Sequence, residues 1–269
     1  MKPQAYDQKV ANYYDEEAPF YLQRSRQNFI LSKLRKQFRT YTENQPFEQA
    51  LEIGFGPGED LLYFAQRYPE RQFYGLDVSP EMTRQAHLNL QEAGLTNAEV
   101  YSGSLRALPK ALVGKQFDLV YVYFGGLNTS YHLEQDIPTL EKLLKPGGRI
   151  VLTMVNRFYL MDAVVKLLKG NLREALARWQ NRWQGYALYR QLPSHLYSSK
   201  QIKDIFAPSF AMKSRRGFSI FYPPWYAAGK AGKIAPLLPW LWRLDQGLQK
   251  TPLWNLGEYS LYELEKQKS

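Results

Sequence analysis

The 269-residue chain is 45% hydrophobic, enough to bury the core of one large domain. It has no cysteine, which excludes disulfides and thiolate metal sites and fits a reducing, cytoplasmic compartment. Of a formal charge of +10, residues 157–250 carry 16 Lys+Arg against 4 Asp+Glu, so the basic charge is confined to the second half.

The N-terminal MKPQAYDQKVANYYDEEAP has no apolar run, so no secretory signal is expected. Residues 20–39 (FYLQRSRQNFILSKLRKQFR) place Leu22, Phe29, Ile30, Leu34 and Phe38 at helical spacing. FEQALEIGFG is a strand running into a glycine turn, and GEDLLYFAQRYP is a helix stopped by Pro69. QFYGLDVS is the second strand. Ser79 then caps a helix that has Pro80 first and Gly94 at its end. AEVYSGS is a third strand. FDLVYVYF, nearly all apolar, is a fourth, buried on both faces. Residues 134–144 form a helix, KPGG a turn, and RIVLTMVN the fifth strand. Further on, YSSKQIKDIF starts a helix capped by Ser198 or Ser199. FAMKSRRGFSIFYPP is a sixth strand and EYSLYELEK (258–266) a seventh. Alternating strands and helices argue for an α/β fold, a doubly wound, mostly parallel sheet. Its ligand would sit beyond the carboxyl ends of the strands, where their order reverses.

The glycine turn LEIGFGPGED (51–60) lies there. Glycines also make tight turns with no ligand. A second acid, Asp77, ends the next strand 19 residues after Gly58, where it can accept from ribose hydroxyls. A dinucleotide fingerprint is disfavoured: the third glycine comes one position early, and Glu59 and Asp60 would repel a diphosphate. A nucleoside cofactor with no phosphate and a positive charge fits better.

The stretches LEIGFGPGED, FYGLDVSPEM, YSGSLRALP, FDLVYVYFGGLN and LKPGGRIVLTMVNR, in this order and spacing, resemble the class I S-adenosylmethionine-dependent methyltransferases over roughly residues 45–157. The resemblance implies one domain over 1–269 with a cofactor core at 40–157. It implies seven strands in the order 3-2-1-4-5-7-6 with strand 7 antiparallel, and helical cap insertions. It implies S-adenosylmethionine as cofactor, with Gly54, Phe55, Gly56 and Gly58 along its methionine part. Glu52 would sit behind the turn or near the amino end. Asp77 would hold the ribose, with Val78 and Met82 packed beside it. Ser104 and Leu105 would lie at the adenine, where the family often has an acid in place of Ser104. Tyr123 and Phe124 would lie along the cofactor, and Tyr14, beside Tyr13, would cover it or pack as part of a surface helix.

A hydroxyl or acidic-carbon acceptor gains from a general base. His132, after the fourth strand, and His195, on the acceptor side, are the two candidates, each with a structural or capping role as the alternative; His87 lies mid-helix. No histidine pair has metal-ligand spacing, so no metal is expected. Residues 158–257 would form the acceptor cap around strand 6. Within them, 160–183 form one or two amphipathic helices whose apolar stripe (Leu160, Val164, Leu167, Leu168, Leu172, Ala175, Leu176, Trp179, Trp183) faces the core. The same basic, tryptophan-rich segments suit an anionic membrane surface, making the protein peripheral; basic charge with aromatics also suits RNA. The run IAPLLPWLW holds two prolines and is far shorter than the roughly 20 residues that span a bilayer. The function expected is methyl transfer to a small hydrophobic acceptor (a lipid, quinone or polyketide). The alternatives are an RNA or protein methyltransferase and a non-catalytic, membrane-associated nucleoside-binding module.

Overall fold

A computed structural model describes residues 2–180 and 192–267. Two N-terminal helices, α1 (Pro3–Gln27) and α2 (Phe29–Glu43), precede the sheet. They are followed by β1 (Gln49–Ile53), α3 (Glu59–Arg67), β2 (Gln72–Asp77), α4 (Pro80–Glu92), β3 (Ala98–Ser102), β4 (Phe117–Val122), α5 (Leu133–Lys142) and β5 (Leu144–Val155). The second half contributes α6 (Leu160–Leu168), α7 (Leu172–Ala175), α8 (Ser199–Phe206), β6 (Phe210–Phe218), α9 (Ala228–Ala231), α10 (Leu238–Leu248) and β7 (Tyr259–Lys266).

The strands form one sheet in the order β3-β2-β1-β4-β5-β7-β6. β1 pairs in parallel with β2 and β4, and β7 runs antiparallel between β5 and β6. This is the expected topology, and its reason is visible in β4. Leu119 and Tyr121 pack on one face with Phe38 and Phe64, whereas Val120 and Val122 pack on the other with Leu133 and Ile137. A strand apolar on both faces needs a helix layer on each. β1 and β2 end side by side at Ile53 and Leu76, and β4 lies on the other flank of β1. The order reverses at β1, which opens a crevice above these ends.

Three local expectations are corrected. The 20–39 segment is not one helix: α1 is 25 residues long, and the chain breaks at Asn28, whose side chain caps α2 by accepting from the Ile30 and Leu31 N–H groups. KPGG is a bulge inside β5, since Phe117 pairs with Leu144 and Leu119 with Arg149. The stripe at 160–183 meets the core only in part: Ala163 and Ala175 are buried, while Leu168 is 84% and Leu172 60% exposed. Trp183 lies outside the described residues. Ser198, not Ser199, caps α8 in a reciprocal box with Gln201. Ser198→Ala should cost about 1 kcal/mol in urea unfolding; an unchanged midpoint would deny the cap any role.

Candidate functional site

After Ile53 the chain turns through Gly54, Gly56 and Gly58, all with positive φ (+72°, +56° and +80°). At Gly58 an added Cβ would lie 2.9 Å from the Ala86 Cβ, so the turn passes over α4 only without a side chain. The Gly54 N–H donates to the Leu76 carbonyl at 2.8 Å. Asp77 fixes the rest: its Oδ2 accepts from the Gly56 N–H at 2.8 Å and its Oδ1 from the Ser79 N–H at 2.9 Å. A carboxylate oxygen has two lone pairs, so both keep capacity for another donor. Burial pushes the Asp77 pKa up to about 6, against the pull of the two backbone N–H groups, and Asp15 adds to the rise.

Beyond Asp77 a narrow slot of about 80 Å³ opens between strand ends and α1. Its walls include Val10, Ile53, Leu76, Val78 and Leu105. α1 lies along the groove and is pinned at several points. Asp15 accepts from the Ser79 hydroxyl at 2.5 Å and from the Glu81 N–H at 3.1 Å. Asp7 accepts from the Ser104 hydroxyl at 2.8 Å and pairs with Arg106. Near the other end of α1, Ser25 donates to Glu59 at 2.9 Å.

Under the glycine turn sits a buried charge cluster. Arg35 bridges Asp60 and Ser25 and lies 3.4 Å from Glu59, while Arg39 holds the second Asp60 oxygen at 2.6 Å. Thus Glu59 and Asp60, the acids that disfavour a diphosphate, are held by arginines from α2. Burial would lower the Arg35 pKa, but Asp60 and then Glu59 outweigh it, so the guanidinium stays charged. Glu52 shares the Ala50 face of β1 and points into this helix-side core. Burial, then Asp60, raises it well above the usual carboxylate range.

On the far side of α1 lies a cavity of about 490 Å³. Tyr13, Tyr14 and Tyr21 from α1, Phe124 after β4, Trp225 and Tyr259 give it aromatic walls; Arg35 and Asn128 are among its polar members. Tyr21 stands against the glycine turn, its ring 3.8 Å from where a Gly56 Cβ would lie, and Thr129 lines both the cavity and the slot, so the two spaces adjoin. Burial, then Tyr21, raises Tyr14 well above the ordinary phenol value, making it a donor and not a base. Phe124 has φ +51°, a left-handed conformation uncommon for a bulky residue; its ring lies under Arg35, 4.8 Å from the guanidinium carbon.

The sequence-expected residues separate into groups. Gly54, Val78, Ser104 and Leu105 line the slot, and Tyr14 and Phe124 line the cavity. Phe55 and Met82 are buried away from both: Phe55 fills the space beside Gly75, where a Cβ would come within 2.5 Å of its ring. The Tyr123 ring points to α2 and its hydroxyl bonds Thr42 at 2.5 Å. His132 is exposed at the start of α5, and its side chain makes no capping bond. Its ring is 6.5 Å from that of His195, which also stacks on Tyr6. Neither imidazole lines the slot or the cavity. His195 is instead fixed behind the wall by Asn128, its N–H donating to the Asn128 carbonyl and its carbonyl accepting from Nδ2, both at 2.7 Å. Burial, then His132, lowers the His195 pKa. Among the described residues no group of three His, Asp or Glu could hold a metal ion, and no helix is long and apolar enough to cross a membrane.

Sequence reasoning missed Asp7, Asp15, Tyr21, Arg35 and Trp225. The signal for α1 was present: Tyr6, Val10, Tyr14, Ala18, Tyr21 and Ser25 recur at three- and four-residue intervals.

The site is thus a doubly wound sheet with a bare glycine turn braced by Asp77, a narrow slot beyond it and an aromatic cavity nearby. Residues 50–148 match a family model described as a methyltransferase domain. A tRNA (guanine-N(7)-)-methyltransferase from Nitrosococcus oceani is 35% identical over 113 residues, 39% of this chain and 48% of the relative. The chain thus spans about half the length of that curated relative. Among solved structures, an S-adenosylmethionine-dependent methyltransferase from Methanosarcina mazei aligns with TM-score 0.58 at 15% identity, over 85% of this chain and 98% of that one. The [4+2]-cyclase SpnF aligns equally well, with TM-score 0.58 at 16% identity over 89% of this chain and 82% of its own. At such identities the likeness is one of fold. Residues 50–148 thus carry a methyltransferase domain, and the fold is that of S-adenosylmethionine-dependent methyltransferases, which implies S-adenosylmethionine as cofactor.

Proposed function

We propose that the protein transfers a methyl group from S-adenosylmethionine to a small, largely hydrophobic acceptor held in the 490 Å³ cavity. The observation that carries this reading is an aromatic cavity that reaches the glycine turn, with Tyr21 lining it and standing against Gly56. Bound S-adenosylmethionine supplies an electrophilic sulfonium methyl. The protein's own part is positioning and exclusion of water. Asp77 takes the ribose hydroxyls, the turn at Gly54–Gly58 admits the methionine part, and Tyr14 and Tyr21 close the junction. Trp225 walls the acceptor side, and Asn28 anchors the loop by donating to the Trp225 carbonyl at 2.9 Å. His195 and His132, the two histidines expected as bases, stack on each other but line neither the slot nor the cavity, so no base is assigned to either.

The acceptor would arrive from an apolar, basic rim. Leu168, Leu172, Leu237 and Trp240 are 84, 60, 55 and 60% exposed. They are interleaved with Lys166, Lys169, Arg173, Lys230 and Lys233. Such a surface suits the headgroup region of an anionic membrane. A second reading is an RNA acceptor, favoured by the name of the Nitrosococcus relative and by the basic 157–250 segment. SpnF argues that this fold also hosts other reactions.

Methyl-labelled S-adenosylmethionine, incubated with the protein and a lysate of its source, separates these readings. The expected result is label in the organic-soluble fraction. Nuclease-sensitive, acid-precipitable counts would replace the hydrophobic acceptor by RNA, and an aqueous product would replace it by a polar metabolite. No transfer, with tight cofactor binding, would reduce the protein to a binding module.

A further inference from the structure

The slot beyond Asp77 has apolar walls and an acceptor-rich end. Val10, Leu76, Val78, Leu105 and Leu127 make the walls. At the end stand Asp7 and Ser104, joined by the bond from the Ser104 hydroxyl to Asp7 Oδ2. Ser104 spends its one proton on Asp7, so its free valence is as an acceptor. Arg106 also borders the slot, but Asp7 and Asp136 engage its guanidinium, and Asp136 is in turn bonded by Ser130. A flat heteroaromatic ring would therefore meet aliphatic walls and acceptors at its edge.

We propose that Asp7 reads the base of the cofactor, its carboxylate accepting from the 6-amino group of adenine and rejecting a 6-oxopurine. This rests on the cofactor assignment above. A 6-oxo group would set its own lone pairs against the carboxylate, a repulsion that the bonds from Ser104 and Arg106 to Asp7 do not remove. Asp7 sits on α1, 97 positions before Ser104 in the chain. Base recognition and the seating of α1 on the groove are then one event. Arg106 is the positioning residue, fixing Asp7 from one side.

The test is a ratio of affinities. Calorimetry gives the dissociation constants of S-adenosylhomocysteine and S-inosylhomocysteine for the wild type, Asp7→Ala and Asp15→Ala. The wild type should favour the adenosyl ligand by about tenfold or more, the worth of one hydrogen bond to a charged group. In Asp7→Ala the ratio should fall to within about threefold. Asp15→Ala removes a different α1 anchor, so it should weaken both ligands alike and keep the wild-type ratio. A wild-type ratio near one, an unchanged ratio in Asp7→Ala, or an equal loss of selectivity in both variants overturns the assignment. Failure of the wild type to bind S-adenosylhomocysteine at all overturns the cofactor reading and this proposal with it, a result distinct from unselective binding.

Discussion

Asp77→Ala should weaken S-adenosylhomocysteine binding by about a hundredfold or more. Two ribose hydroxyls would lose a charged acceptor, and each such bond is worth roughly 1.5–3 kcal/mol. The variant also strips the Gly56 and Ser79 N–H groups of their partner, so the turn loses its fixed shape and the melting temperature should fall as well. Asp77→Asn isolates the charge. The Asp77 pKa rises from the ordinary 3.8 to about 6 because the carboxyl is buried. A group raised in the folded state holds its proton longer there than in the unfolded chain, so its contribution to stability is lost as pH rises from about 4 to about 6. Ligand binding has the opposite slope, because the hydroxyls donate to the ionised form. Affinity should be about tenfold weaker at pH 5 than at pH 7 and flat above that. Asp77→Asn should bind weakly at every pH and lose the slope. A wild-type affinity independent of pH over this range would remove Asp77 from the ribose.

Arg35→Ala should cost about 3–5 kcal/mol of folding stability, seen as a lower urea midpoint at an unchanged slope. Arg35 is 7% exposed and Asp60 2%. Removing the arginine leaves Arg39 as the remaining cation on Asp60 and none on Glu59, in a site already crowded by Glu52. Arg35→Lys should recover little, because a point charge cannot reach Asp60, Ser25 and Glu59 from one planar fork. It should also free the Phe124 ring, which Arg35 covers, and so weaken acceptor binding. A loss below about 1 kcal/mol for Arg35→Ala would mean that water or Arg39 takes over the cluster.

The parts legible in the sequence were those governed by local chemistry. FDLVYVYF could only be a strand buried on both faces, and LEIGFGPGED with Asp77 could be placed at the strand ends without any tertiary knowledge. α1 was harder to read, although its inner residues recur at helical spacing. Its inner stripe is tyrosine, serine and small residues, so its apolar periodicity is weak, and its anchors Asp7 and Asp15 reach partners far along the chain. The break at Asn28 was hidden because Phe29 fits a helical stripe yet is 43% exposed, while Asn28 does the capping. In α6 the pattern was read correctly as amphipathic, but pattern alone does not say whether an apolar face meets a core or remains outside. Tyr123 shows the same limit on a smaller scale: it follows a buried strand directly, and only the packing of α2 directs its hydroxyl to Thr42.

The shared wall formed by α1 has a thermodynamic corollary. Asp7 and Val10 line the slot, and Tyr14 and Tyr21 line the cavity, so one rigid helix borders both. Whichever ligand first tightens the seating of this already formed helix spares the other that cost. The two affinities are then linked with positive cooperativity, and the factor is the same read from either ligand. A methylated product and a demethylated cofactor would hold each other in place, so departure of the first leaving ligand, and not bond-making alone, would help set the turnover rate.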